Sequence, residues 1–158
     1  MKKIVSLIMC FAIMLNLAAC SEWLLGRSDF FGFSKRDFTV MEEVNNHGGF
    51  HGDGSYYIIM DCSKNKEKAL EILSDWKKLP MTENLNRIMF KYENDGMNLA
   101  EEAKIPMVKN GYYFFYDRHS ESADSSDDSE IFGRGSYNFS LAIYDSDTDM
   151  MYYYEYDT

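Results

Sequence analysis

Histidine, cysteine and proline are scarce in this chain, and so are long apolar runs. It has three histidines, three cysteines and two prolines among 158 residues. The apolar stretch that starts at Ile4 spans about 15 residues, short of the ~20 that a membrane-crossing helix needs. No cluster of positive charge follows it as a stop signal, so a transmembrane helix is not expected. No internal repeat is visible, which argues against a repeat architecture. No G-x-S-x-G is present, and Asp117, His119 and Ser120 lie too close in sequence to form a catalytic triad. Basic residues are outnumbered, 16 Lys and Arg against 26 Asp and Glu, for a net charge of −10. Such a surface repels nucleic acid and anionic lipid headgroups and favours cationic partners or ions.

What is present begins with an address. Lys2 and Lys3 precede the apolar run, and Leu17-Ala18-Ala19-Cys20 closes it. A positive start, a short apolar middle and a small-residue cleavage site make a secretory signal. With cysteine directly after the small residues, the site resembles a bacterial lipoprotein lipobox. The resemblance implies that a diacylglyceryl group is attached to the Cys20 sulfur and that residues 1–19 are removed. It implies a cell-membrane location on the extracytoplasmic side, held through the lipid at Cys20. Two acyl chains suffice for stable anchoring. Loss of residues 1–19 leaves 139 residues, one domain of ordinary size, and loss of Lys2 and Lys3 takes the net charge to −12. Cys10 lies in the discarded signal and Cys20 takes the lipid. Cys62 is then alone, and no intramolecular disulfide can form.

After the anchor, residues 20–36 read as the lipidated N-terminus and a tether, although Trp23, Leu24, Phe30, Phe31 and Phe33 are apolar enough to pack on a domain or rest at the membrane surface. Residues 37–158 read as a single domain. Phe38, Val40 and Val44 mark a weak first strand. A glycine-rich loop, 45–54, leads into a second, in which Tyr56, Ile58, Met60 and Cys62 share one face and Tyr57 and Ile59 the other. Residues 64–79 carry an apolar stripe of Ala69, Ile72, Leu73, Trp76 and Leu79 at helical spacing, with Pro80 as a stop. Short helices are expected at 82–89 and 98–104. Residues 112–116 form a strand apolar on both faces. Residues 121–130 carry five acids and four serines, a solvated or disordered loop. In 137–144, Tyr137, Phe139, Leu141 and Ile143 alternate with Asn138, Ser140, Ala142 and Tyr144. A polar turn and a last strand, 150–156, complete the chain. Twelve tyrosines in a chain that is 16% aromatic suit broad, half-buried strands. The predicted fold is α+β: an antiparallel sheet of about five strands with one main amphipathic helix packed on one face.

Residues 47–54, 112–120 and 137–148 together resemble a set that recurs in uncharacterised bacterial secreted proteins. The resemblance implies a shared domain and brings no activity with it.

Four residues are candidates for chemistry. His47, His51 and Asp53 share the glycine-rich loop, and imidazole with carboxylate is a donor set for zinc or another divalent metal. His119 follows the 112–116 strand; if that strand runs antiparallel to 55–62, all three histidines share one sheet edge. Turn-formers bearing surface histidines are the plainer account of the same loop. Asp145-x-Asp147-x-Asp149 resembles the start of a calcium loop but lacks the glycine at the sixth position and has Tyr156 at the twelfth, so a polar turn is expected. Cys62, on the face of Ile58 and Met60, reads as a small buried residue. The sequence therefore points to a non-enzymatic, lipid-anchored binding or inhibitor module for a cationic protein. The alternative is a divalent-metal-binding protein or metal-dependent surface enzyme using His47, His51, Asp53 and His119.

Overall fold

The computed structural model describes residues 29–48, 52–94 and 96–158, apart from the side chains of Glu93, Asn94 and Met97. The lipobox with Cys20, and His51, lie outside the described residues. Among the described residues no helix is long and apolar enough to cross a membrane.

The elements run β1 (Asp29–Phe30), β2 (Phe33–Ser34), β3 (Thr39–Asn45), β4 (Gly54–Asp61), α1 (Lys66–Ile72), β5 (Lys77–Lys78), α2 (Glu83–Phe90), β6 (Glu93–Asn94), β7 (Met97–Asn98), α3 (Leu99–Glu102), β8 (Gly111–Asp117), β9 (Asn138–Asp145) and β10 (Met150–Asp157). Six strands form one antiparallel sheet in the order β3-β4-β10-β9-β8-β5. The class is α+β, as the sequence implied.

The period of two in β4, β9 and β10 sorts side chains to two faces, and both faces are buried. On one, Tyr56, Ile58, Met60, Ala142, Tyr144, Met151 and Tyr153 pack with Ala69, Leu73 and Trp76. On the other, Tyr57, Ile59, Phe139, Leu141, Ile143, Tyr152 and Tyr154 pack with Leu85, Ile88, Met89 and Leu99. The expectation of one helix covering one face is corrected here. The Phe139, Leu141 and Ile143 stripe is covered by α2 and α3, not by α1. Thr82 caps α2 by accepting the Leu85 N–H at 3.2 Å, and Asn98 caps α3 by accepting the Glu101 N–H at 2.7 Å.

The main helix is also shorter than its stripe suggests. α1 ends at Ile72, a 3-10 turn covers Leu73–Asp75, and Trp76 is extended at φ −89 and ψ 152. Ser74 and Asp75 are poor helix formers, and Leu79 precedes Pro80, which disfavours helical backbone. The chain instead pairs Lys77 with Tyr113 and Lys78 with Tyr112. Trp76 still lands in the core, its ring 5.3 Å from Phe33 and 5.9 Å from Phe114.

Phe30 and Phe33, from the stretch read as a tether, are buried with Trp76 and Tyr144. They sit on a two-residue hairpin turn, Phe31-Gly32, in which both residues have positive φ (56° and 93°). That is the twist a tight hairpin requires. A bulky residue at positive φ costs roughly 1–3 kcal/mol. The Phe31 ring offsets this by packing 4.5 Å from Phe114 and 5.5 Å from Tyr153.

Candidate functional site

β10 reads apolar on both faces until its end, where Glu155 and Asp157 replace tyrosines on the α1 face. The antiparallel register sets Glu155 opposite Ser140 and Tyr56, and Asp157 opposite Asn138 and Gly54. Arg118, the first residue beyond β8, is tied in by its own N–H to the Asn138 carbonyl at 2.7 Å. Its guanidinium donates to Ser140 Oγ and to the Phe139 carbonyl, both at 3.1 Å. It also meets Asp157 at 2.9 Å and Glu155 at 3.7 Å. Tyr153 donates its hydroxyl to Glu155 at 2.6 Å.

His47 closes the cluster from the loop after β3. Its Nε2 lies 3.0 Å from Asp157 Oδ2, and its Nδ1 lies 2.9 Å from Asn45 Oδ1. Gly54 permits this. A Cβ there would sit 2.7 Å from the His47 Cα and 2.6 Å from the Asn46 carbonyl oxygen, so any side chain would push away the loop that carries the histidine. One ligand atom each from His47, Glu155 and Asp157 lies within 4.8 Å of the others.

The structure thus groups His47 with residues that the sequence did not single out. Asp53 is exposed, and its carbonyl takes the Gly48 N–H at 3.2 Å. His119 is engaged locally: its Nδ1 accepts the Glu121 N–H at 3.2 Å and its Nε2 lies 3.0 Å from Ser136 Oγ. Glu155 and Asp157 escaped notice because each is a single acid in a strand that reads as core. The signal was their spacing of two, which fixes both to one face.

Beside the cluster opens a cleft of about 300 Å³, walled by Phe30, Phe31, Tyr116 and Tyr153 and edged by Asp29, Arg118 and Ser140. Tyr116 is 43% exposed. Asp29 Oδ1 accepts the Gly32 N–H at 2.9 Å.

The acidic loop faces solvent along most of its length, as expected, and is tied to the domain at a few points. Asp128 is buried, accepting the Thr82 hydroxyl through its carboxylate and Asn84 Nδ2 through its carbonyl at 3.0 Å. The Ser125 carbonyl takes the Asp117 N–H at 2.7 Å, and Ile131 is in the core. Asp117 and Arg134 form a nearly buried pair at 2.7 Å. Burial alone raises the Asp117 carboxyl, but hydrogen bonds from Arg134, the His119 N–H and Ser122 outweigh it and hold the group below the ordinary carboxylate value. So fastened, the loop displays Glu121, Asp124, Asp127 and Glu130 to solvent.

The Asp145–Asp149 stretch is the polar turn expected of it. Asp145 accepts the Asp147 N–H at 2.9 Å and the Thr148 hydroxyl at 2.8 Å, and Asp149 pairs with Lys66 at 2.7 Å. Cys62 is fully buried, and burial with Asp61 and Asp149 nearby pushes its thiol up to about 12.

No protein-family model matches this chain, and neither a curated protein nor a solved structure matches it.

Proposed function

We propose that the chain is a lipid-anchored extracytoplasmic module, non-enzymatic, that binds or inhibits a cationic protein. The observation that carries the reading is the fastened acidic loop: four exposed carboxylates on a segment pinned at Asp117, Asp128 and Ile131. A pre-ordered array loses little conformational freedom on binding. A net charge of −12 after removal of residues 1–19 speeds encounter with a basic partner and disfavours nucleic acid. The lipid at Cys20 holds the module at the membrane surface. The test is retention on an immobilised oligo-arginine surface. The chain is retained, and a variant with Glu121→Gln, Asp124→Asn, Asp127→Asn and Glu130→Gln elutes at lower salt. Equal elution of the two contradicts the reading. For the anchor, Cys20→Ala leaves the membrane fraction; a variant that stays there contradicts it.

Divalent-metal binding is the second reading, favoured by the grouping of His47 with Glu155 and Asp157. Asp157 is already neutralised by Arg118 at 2.9 Å, so a metal ion has to displace a guanidinium. His51 and Asp53 from the same glycine-rich loop, and His119 from the segment after β8, are the further donors this reading takes from the sequence. Calorimetric titration with zinc decides it: heat lost in His47→Ala supports the metal site, and no heat in the parent chain rejects it.

A further inference from the structure

We propose that the cleft between the β1–β2 hairpin and the end of the sheet receives one arginine side chain of the cationic partner. The proposal rests on the binding reading above and names its anchor point. The cleft's volume of about 300 Å³ is at the lower limit of small-molecule pockets, which suits one long side chain. Its walls are aromatic, and two rings are accessible at the mouth: Tyr116 is exposed and Phe31 half-buried. Phe31 is held over the cleft by its positive φ and by contact with Phe114 and Tyr153. Asp29 supplies the charge. Its carboxylate engages the Gly32 N–H through one oxygen, and among the described residues the other oxygen has no partner. A carboxylate beside aromatic faces selects a planar cation, because a guanidinium stacks on a ring and donates in parallel to both oxygens. Arg118, also at the cleft, does not oppose this. Its fork is committed to Ser140, the Phe139 carbonyl and Asp157.

The test uses the full chain in detergent and a capped Gly-Arg-Gly peptide, with Gly-citrulline-Gly as the neutral isostere, in an NMR titration. The arginine peptide binds and the citrulline peptide does not. Asp29→Asn and Tyr116→Ala each weaken binding about fivefold with melting unchanged. The acid-neutralised loop variant keeps its affinity for this single-arginine probe. Undiminished binding by both cleft variants overturns the proposal. So does failure of the peptide to bind a chain that oligo-arginine still retains, which leaves the binding reading standing. If oligo-arginine does not retain the chain either, the binding reading itself falls, and the cleft proposal with it.

Discussion

The imidazole of His47 meets the carboxylate of Asp157 at 3.0 Å across 110 residues of sequence. The contact pins the loop after β3 to the last residue of strand β10, and Arg118 holds the other oxygen of the same carboxylate. The two ends of the pair are therefore unequal. His47→Ala removes the ring's contacts with Asp157 and Asn45 at a part-exposed site and should cost about 1 kcal/mol. Asp157→Ala also strips Arg118 of its nearest carboxylate and should cost about 2 kcal/mol. Urea titrations of the two variants check the order.

Because the sheet is buried on both faces, each core should fail on its own account. Trp76→Ala should destabilise by roughly 3–5 kcal/mol and Leu85→Ala by roughly 2–5 kcal/mol. Trp76 lies against Phe33 and Phe114, whereas Leu85 lies in the opposite cluster. The losses should add in the double variant, since the sheet separates the sites. Calorimetric melting of the three chains tests this.

The two cores also show where the sequence was readable. The strand alternations in 55–62 and 137–144 came through because burial on a pleated sheet has a strict period. The end of α1 did not. Its apolar stripe continues to Trp76 and Leu79, but pairing of Lys77 and Lys78 with β8 overrides the helical pattern. The second covering layer was understated because α2 and α3 are only eight and four residues long. The acidic loop was legible in part: most of its residues are exposed, as its composition implies. Ten polar-rich residues look solvated, yet Asp128 is buried by its contacts with Thr82 and Asn84. Glu155 and Asp157 become a cluster only once the register brings Arg118 and His47 beside them.

Asp117 should shape the acid limb of stability. Its carboxyl is held below the ordinary value in the folded chain. Its contribution is therefore complete above the unfolded-state value of about 3.9 and is lost as pH falls through the lower folded-state value. The stability gap between the parent chain and Asp117→Asn should be constant near neutrality and narrow below about pH 4. Urea midpoints across that range report it.

Cys62 should be chemically silent. Its thiol is buried and raised to about 12, so thiolate is scarce near pH 8. Iodoacetamide followed by peptide mass mapping should leave Cys62 unlabelled in the folded chain and label it in denaturant.

The central claim is that the fastened acidic loop recognises a cationic partner. Its most direct measurement is the affinity of a hexa-arginine peptide for the parent chain and for the variant neutralised at Glu121, Asp124, Asp127 and Glu130, between about 0.05 M and about 0.2 M salt. The parent chain should bind, and weaken steeply with salt. The variant should bind at least about tenfold more weakly at low salt, with a flatter salt dependence. Equal affinities and equal salt slopes for the two chains would contradict the claim.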